Sequence, residues 1–152
     1  MSLRLSTKGL YSIRAVSRLA NQYGKGPVSI RTIAREEYIP LHYLEQLMSR
    51  LRRKGFLKSV RGPGGGYLLT RSPDQISIGD IIQTLEGKVT IAHCVDEDQQ
   101  TRCGLEKTCI SRDFWSALSQ RVQCILDSVS LQELIEGKWK QKNLMMNKRE
   151  IK

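Results

Sequence analysis

Three cysteines lie close together in the second half of the chain, Cys94, Cys103 and Cys109, in a C-x8-C-x5-C pattern. Thiolate sulfur is a soft ligand that favours an iron–sulfur cluster or zinc over a hard cation such as magnesium. The segment from His93 to Ser111 has no apolar periodicity, so we expect a loop that wraps around a metal group. Clustered cysteines in a reducing compartment indicate ligands or sensors rather than a disulfide framework.

The identity of a fourth ligand is open. Zinc favours four closed ligands, and His93 is a candidate, although it is adjacent to Cys94 and the two fit poorly around one ion. Cys109 comes just before a predicted helix, where free N–H groups and the helix dipole stabilise a thiolate. Cys124 is predicted to be a packed or surface thiol on that helix.

Positive charge is concentrated in the first part of the chain. The 152 residues carry a net charge of +10; residues 1–88 have 15 Lys and Arg against 6 Asp and Glu, and residues 89–152 have 10 against 9. This distribution predicts a polyanion binder in the N-terminal part. Without an apolar leader at residues 1–10 or an apolar run long enough for a membrane span, we expect a cytoplasmic protein.

Apolar periodicity predicts three helices before residue 55. The first covers residues 8–23 with Leu10 on its apolar stripe, the second runs from Ser29 as N-cap to Glu37, and the third runs from Leu41 to about Lys54. A short turn, Tyr38-Ile39-Pro40, joins the second helix to the third. This arrangement predicts a helix-turn-helix.

The third helix has the division of residues that a DNA recognition helix needs, with polar side chains first and basic ones after. Gln46 can pair with adenine, and Glu45 can accept a hydrogen bond from a cytosine amino group. A solvated amphipathic helix is the alternative. The predicted DNA-contacting residues of this helix are His42, Tyr43, Glu45, Gln46, Arg50 and Arg53.

A hairpin follows the third helix. Residues 56–60 and 67–70 read as strands, and the glycine-rich turn between them begins with Arg61. Gly62 and Gly64 let the backbone approach a phosphate or a groove, and Arg61 at the tip can enter a narrow minor groove. We therefore predict a DNA-contacting wing, against the alternative of a flexible hairpin with an incidental arginine.

Two more helices are predicted. One runs from Ile78 to Glu86 behind Ser77, and a long one begins at Ser111-Arg112-Asp113 and continues to Leu134, ending near Gly137. The long helix has an apolar seam that predicts a homodimer interface; docking on its own domain is the alternative. The seam residues are Trp115, Leu118, Val122, Ile125 and Val129.

The predicted fold is therefore mainly α with a small β-hairpin wing. Residues 1–88 form a winged helix-turn-helix DNA-binding domain, 89–110 a cysteine-rich cluster-binding loop, 111–137 a dimerisation helix, and 138–152 a basic, disordered tail. No residue set resembles a hydrolase triad, a P-loop or a paired-carboxylate site, so we predict that the chain is not an enzyme.

Four blocks, residues 3–9, 43–47, 51–55 and above all the wing motif 59–69, resemble in order those of the IscR-type winged-helix transcription regulators, a family that includes NsrR and RirA. The resemblance covers about residues 3–137. It implies a homodimeric, cytoplasmic transcription regulator, more often a repressor, that binds operator DNA and senses cluster, iron, redox or nitric-oxide status through a 2Fe-2S or 4Fe-4S cluster. The matching cluster ligands are Cys94, Cys103 and Cys109, and the matching DNA contacts are His42, Tyr43, Glu45, Gln46 and Arg61.

The chain departs from the family at both known fourth-ligand positions. Arg112 stands where IscR has a histidine, and Leu10 stands where NsrR has an aspartate; neither side chain serves as an ordinary metal ligand. Three thiolates with one labile position favour 4Fe-4S over 2Fe-2S. Other candidates for the open position are a water, a small thiol, His93, Asp96, Glu97, Asp98 and Glu106.

Two other functions compete with this one. A winged-helix regulator with a structural zinc site, or with no metal, would bind DNA without sensing a cluster. An enzyme-associated adaptor would use the cysteines to deliver a cluster to a protein partner. In that case the predicted wing and recognition helix would have no function.

Overall fold

A computed structural model describes residues 6–96, 104–105 and 108–140. Within these residues two antiparallel strands accompany the helices, and 3₁₀ turns occur at Pro73–Gln75 and His93–Val95. This is the mainly helical architecture with a hairpin that the sequence predicts. The helices and strands are α1 (Thr7–Asn21), α2 (Ile30–Glu36), α3 (Leu41–Arg53), β1 (Leu57–Val60), β2 (Gly66–Leu69), α4 (Ile78–Glu86), α5 (Arg112–Ser128) and α6 (Leu131–Glu136).

Local capping sets the boundaries of the N-terminal helices. The Ser6 hydroxyl accepts a hydrogen bond from the Lys8 amide at the start of α1, and Ser29 accepts one from the Thr32 amide at 3.1 Å at the start of α2. Pro40 is the N-cap residue of α3. Its fixed φ suits a position next to a helix start, and its lack of an N–H costs no helical hydrogen bond there. The predicted helix-turn-helix boundaries are therefore confirmed to within two residues at each end.

One core joins these helices to α4 and α6. Its fully buried side chains come from α1, α2, α3, α4, α6 and the segment before α4. Burial of this apolar surface is the main stabilisation of the fold and fixes the outer face of α3 relative to the wing. The largest fully buried apolar side chains are Val16, Ile33, Leu44, Met48, Leu51, Ile76, Ile81, Ile82 and Leu131.

The first helix corrects one prediction. Leu10 was expected on the buried stripe, but its side chain is 52% exposed, and Gly9 and Ser12 lie on the buried face instead. The Gly9 amide donates a 2.8 Å hydrogen bond to a carboxylate oxygen of Glu86 in α4. A Cβ at position 9 would lie 2.4 Å from that oxygen, so glycine permits this close approach.

The C-terminal part also differs from the prediction. The single helix expected from Ser111 to Leu134 is interrupted at Val129, which is extended and accepts a 2.9 Å hydrogen bond from the Ile78 amide. Ser130 then caps α6 through a capping box with Glu133. Because α6 packs on α1 and on the 3₁₀ turn at Pro73–Gln75, this end of the predicted dimerisation helix belongs to the core of its own chain.

Within the described ranges, no helix is both long and apolar enough to span a bilayer.

Candidate functional site

The outer face of α3 is polar and accessible. His42, Glu45 and Gln46 near its start and Arg50 and Arg53 near its end are all exposed. Its inner face is buried through Leu44, Leu47, Met48 and Leu51. The hydrogen-bonding and basic groups predicted to contact DNA therefore share the side of α3 that points away from the core.

Tyr43 has a different environment from its neighbours. It is half-buried, and its ring meets the Tyr11 ring of α1 edge to face, with centroids 5.9 Å apart. Such a pair stabilises the contact between two helices. The structure thus gives Tyr43 a packing role in holding α3 on α1, and the DNA contact expected of it stays a prediction.

The wing is a hairpin that is tied to the start of α2. β1 pairs with β2 from Leu57 opposite Leu69 to Val60 opposite Gly66. Val28 pairs with Tyr67 of β2 on the other side. The Val28 amide donates to the Tyr67 carbonyl at 3.0 Å, and the Tyr67 amide donates to the Val28 carbonyl at 2.8 Å. A Cβ on Gly66 would lie 2.1 Å from the Val28 carbonyl oxygen, so only glycine allows this junction.

The tip of the wing is exposed. Arg61, Gly62 and Gly64 are all accessible, and both glycines have positive φ, +96° and +73°. The Gly65 amide closes the turn with a 3.0 Å hydrogen bond to the Gly62 carbonyl. This turn projects Arg61 next to a backbone that a nucleic acid can approach closely.

One contact connects α3 to the wing, and a second connects the turn after α3 to it. Arg52 donates a 3.3 Å hydrogen bond from its guanidinium to the Ser59 hydroxyl of β1. The Thr70 hydroxyl, just after β2, donates to the Gly55 carbonyl at 2.5 Å. The outer face of α3 and the wing are therefore connected, as expected of two elements that would contact one duplex.

Two of the predicted cluster ligands, Cys94 and Cys109, lie near α5. Cys94 is half-buried in the 3₁₀ turn at His93–Val95, and this turn packs on α5. Cys109 lies three residues before α5, with its Sγ 3.4 Å from the Ser111 Oγ. The Ser111 hydroxyl and then the Ser111 amide lower the pKa of the Cys109 thiol. Burial opposes them to a lesser extent, and the amide and the charge of Arg112 lower this pKa more weakly still.

Cys103 and three of the candidate fourth ligands, Glu97, Asp98 and Glu106, lie outside the described residues. Within the described part, no group of three or more His, Cys, Asp or Glu side chains is placed to hold a metal ion. The cysteines there, Cys94, Cys109 and Cys124, are not in disulfides. Of the predicted ligands, Cys109 with its lowered pKa and the half-buried Cys94 have side-chain chemistry that fits an iron–sulfur cluster or zinc.

The seam residues of α5 divide into two groups. Ile125 is 44% exposed, and Trp115, Leu118 and Val122 are half-buried. Val129 is different, with 7% exposure and a place in the hydrophobic core, so its side chain is not available to a second subunit. The prediction that Val129 lies in the dimer interface is wrong, because the extended backbone there directs its side chain into the core of its own domain.

Sequence reasoning missed Phe114, which is 60% exposed and contacts the Trp115 ring with centroids 4.9 Å apart. Its spacing of four residues to Leu118 and eleven to Ile125 is the signal that would have placed it on the seam. Ile110, just before α5, is fully exposed. The accessible apolar surface of α5 is therefore larger near its N-terminus than predicted.

The chain is similar to known regulators over most of its length. The Rrf2 family, described as iron-dependent transcriptional regulator, matches residues 5–137. The regulator CymR of Bacillus subtilis is 37% identical over 132 residues, which are 87% of this chain and 89% of that protein. IscR of Sodalis glossinidius is 39% identical over 135 residues, 89% of this chain and 80% of that protein.

Solved structures agree with these sequences. The structure of B. subtilis CymR, called the global cysteine regulator, has a TM-score of 0.73 and 40% identity, covering 89% of this chain and 98% of that one. The structure of T. potens IscR has a TM-score of 0.74 and 36% identity, covering 91% and 90%. The predicted winged-helix fold and regulator resemblance are confirmed, and the chain belongs to the Rrf2 family of DNA-binding transcriptional regulators rather than to an enzyme family.

Proposed function

We propose that this regulator is a cytoplasmic homodimer that represses its target genes and senses iron, redox or nitric-oxide status through an iron–sulfur cluster on Cys94, Cys103 and Cys109. The observation that carries the proposal is the position of Cys109, where the N-terminal end of α5 and Ser111 stabilise a thiolate. Thiolates are the form in which cysteine ligates iron. Cys94 supports it, because its turn packs on the same helix.

A cluster bound to the three thiolates would supply a redox-active group that oxygen or nitric oxide can modify. The chain's own contribution is to connect the cysteine segment with α5. The Ile91 amide, three residues before Cys94, donates a 3.0 Å hydrogen bond to the Ser119 hydroxyl of α5. A change in the conformation of residues 91–109 is therefore transmitted to the position of α5.

The exposed face of α5 favours a homodimer. Phe114 and Ile125 together with the half-buried Leu118 and Val122 form an apolar stripe at four-, four- and three-residue steps. A solvated helix of a monomer has no reason to keep such a stripe. Movement of α5 would then alter the separation of the two α3 helices, which must meet half-sites about 34 Å apart or a multiple of this distance.

For DNA we propose phosphate contacts from Arg50 and Arg53, base readout by Glu45 and Gln46, and minor-groove entry by Arg61. This assignment follows from exposure on one connected surface and from the chemistry of each side chain. His42 and the backbone of Gly62 and Gly64 complete the surface. Tyr43 orients α3 through its contact with Tyr11.

The cluster type follows from the missing fourth ligand. Arg112 begins α5 and Leu10 is an exposed apolar side chain, so neither position supplies a ligand to iron. A cluster of four irons can leave one iron to water or a small thiol, so we propose 4Fe-4S.

The test is to purify the protein without oxygen and measure iron, sulfide and the visible spectrum. Operator affinity is then compared before and after cluster loss, with an operator selected from a random-sequence DNA library. Iron and sulfide in equal amounts with an altered affinity support the proposal. About two irons per subunit with a 2Fe-2S spectrum would refute the 4Fe-4S assignment but would leave the proposal of a cluster-sensing regulator in place.

A regulator without a cluster is the second candidate, and the similarity to CymR favours keeping it, because CymR is called a regulator of cysteine and not of iron. Zinc in the purified protein, or no metal with unchanged DNA affinity, would establish it. The cysteines would then be structural ligands or free thiols.

A further inference from the structure

A cavity of about 580 Å³ lies between α5 and the segment that follows α4. Its size falls within the usual range for sites that bind small molecules, about 300–1,000 Å³. Val89 and Thr90 line one wall, and Ser116, Gln120 and Gln123 of α5 line the other. Neither the DNA surface nor the apolar stripe of α5 uses this cavity.

The cavity and the apolar stripe occupy opposite sides of α5. Gln123 lines the cavity and Phe114 is on the stripe, and they are nine residues apart. Nine steps of about 100° place two residues half a turn around a helix from each other. A second subunit on the stripe would therefore leave the cavity open.

The chemistry of the lining selects the class of ligand. Apolar atoms form the larger part of the lining surface, six Gln, Ser and Thr residues supply amide and hydroxyl groups, and the charged groups are one lysine, Lys88, and two aspartates, Asp96 and Asp127. A phosphate-bearing ligand needs an excess of cationic groups, and among the described lining residues there is no aromatic ring on which a base could stack. A molecule with one carboxylate and one ammonium group matches both signs of charge.

The cavity also lies at the attachment of α5 to the winged domain. The Val89 amide donates to the Gln123 side-chain oxygen at 3.5 Å, and the Gln123 amide donates to Asp127 at 2.8 Å. Asp127 in turn contacts Gly79 of α4, where an added Cβ would lie 1.7 Å from its carboxylate oxygen. A ligand in the cavity would touch both sides of this junction.

We propose that this cavity binds a small zwitterion of the amino-acid or dipeptide type and that its occupancy sets the position of α5 relative to the DNA-binding domain. Asp96 lines the cavity and is also a candidate cluster ligand, so binding is measured on protein with and without a cluster. The effect on DNA affinity does rest on the proposed role of α5, so the two are measured separately.

The binding experiment uses the full chain purified without oxygen and three probes, L-glutamine, L-methionine and L-alanyl-L-glutamine, with AMP as the phosphate-bearing comparison. A probe present at about ten times its dissociation constant should raise the melting temperature by about 3–6 °C. Calorimetric titration then gives the affinity and a stoichiometry of one per chain. If AMP binds and the zwitterions do not, the assigned ligand class is wrong; if none of the four binds at millimolar concentration, the proposal is overturned.

Variants locate the binding. Gln120→Leu places a leucine in the cavity wall and should weaken the binding of the tightest-binding zwitterion at least tenfold. Gln75→Leu makes the same change at an exposed position outside the cavity and should leave the affinity unchanged. If Gln120→Leu melts at a lower temperature than the unliganded parent, Thr90→Val is used in its place. Equal affinities for cavity and control variants would place the binding elsewhere and refute the site.

Cys124 provides a second readout, because it lines this cavity and Cys109 does not. A bound zwitterion should slow alkylation of Cys124 and leave that of Cys109 unchanged. If a probe binds by calorimetry but protects neither thiol from alkylation, the probe does not bind in this cavity. If binding is confirmed but operator affinity does not respond, α5 is not the transmitting element and only the regulatory part of the proposal fails.

Discussion

The Sγ of Cys109 lies 3.4 Å from the Oγ of Ser111, in the turn that leads into α5. A thiolate at this point accepts a hydrogen bond from the serine hydroxyl and faces the first amides of the helix, whose dipole favours negative charge. The structure therefore links a candidate cluster ligand directly to the helix that carries the apolar stripe. Any change in charge or ligation at Cys109 acts at the N-terminal end of α5.

Replacing Ser111 by alanine should raise the pKa of Cys109. The Ser111 hydroxyl makes the largest contribution to the lowered pKa of that thiol, so its removal leaves less thiolate at neutral pH. In metal-free protein, the rate of Cys109 alkylation by iodoacetamide, followed by mass spectrometry against pH, should move to higher pH. Ser128→Ala, at the other end of α5, is the control, and an unmoved Cys109 profile in Ser111→Ala would contradict the assignment.

Arg61→Ala should weaken operator binding by about 1–3 kcal/mol if the arginine enters a groove. Arg61 is exposed at the wing tip, so the loss should arise at the DNA interface without a change in melting temperature. Fluorescence anisotropy at several salt concentrations measures it. Arg121→Ala on α5 removes the same charge away from α3 and the wing and should bind nearly as well as the parent; equal losses in the two variants would remove the wing from the DNA interface.

Ser12→Ala should stabilise the protein or leave its stability unchanged. The Ser12 hydroxyl is fully buried on α1 and has no hydrogen-bond partner among the described residues. Burial of an unsatisfied hydroxyl costs about 1–3 kcal/mol, so alanine should raise the free energy of unfolding by about 1 kcal/mol.

Ser77→Ala is the matched comparison for Ser12→Ala. Its hydroxyl accepts from the Asp80 amide at 2.9 Å as the N-cap of α4, and loss of such a cap costs about 1 kcal/mol. Urea denaturation should therefore give opposite signs for the two serines. Destabilisation by both would show that Ser12 has a partner in solution.

Tyr38→Gly should also stabilise the fold. Tyr38 joins α2 to α3 with φ of +52°, and its side chain is 86% exposed, so it has a left-handed conformation without compensating burial. That conformation costs a residue with a Cβ about 1–2 kcal/mol, and the greater flexibility of glycine offsets part of the gain. Thermal unfolding should show a higher midpoint, whereas Tyr23→Gly, at an exposed tyrosine outside the positive-φ set, should lower it.

The parts of the fold that follow from local signals were predictable. Ser29 and Ser77 mark helix starts by capping chemistry, Pro40 marks the end of the turn before α3, and the glycines of the wing mark its turn. The break at Val129 was missed because apolar periodicity runs through it, although Ser130 and Glu133 carry the capping-box signature of a new helix. Leu10 was misplaced because periodicity alone does not tell which side of α1 faces α4.

The candidate site was less predictable than the fold. The exposure of α3 residues follows from its buried face, but the Tyr11–Tyr43 contact and the cavity beside Gln123 depend on tertiary packing. No local pattern encodes how α4 and α5 are spaced. The cysteine spacing indicated the chemistry, and the Ser111 contact at Cys109 required the folded chain.

The two groups of α5 seam residues should respond differently to substitution. Ile125→Glu places a charge on the exposed stripe and should convert the dimer to a monomer, with little loss of monomer stability because Ile125 is 44% exposed. Val129→Ala removes buried methyl groups from the core of one chain and should cost about 2 kcal/mol of unfolding free energy while the purified protein stays dimeric. Sedimentation equilibrium and urea denaturation distinguish the two effects. A parent protein that sediments as a monomer, or an Ile125→Glu variant that stays dimeric, would remove this stripe from the dimer interface and with it the route by which α5 spaces the recognition helices.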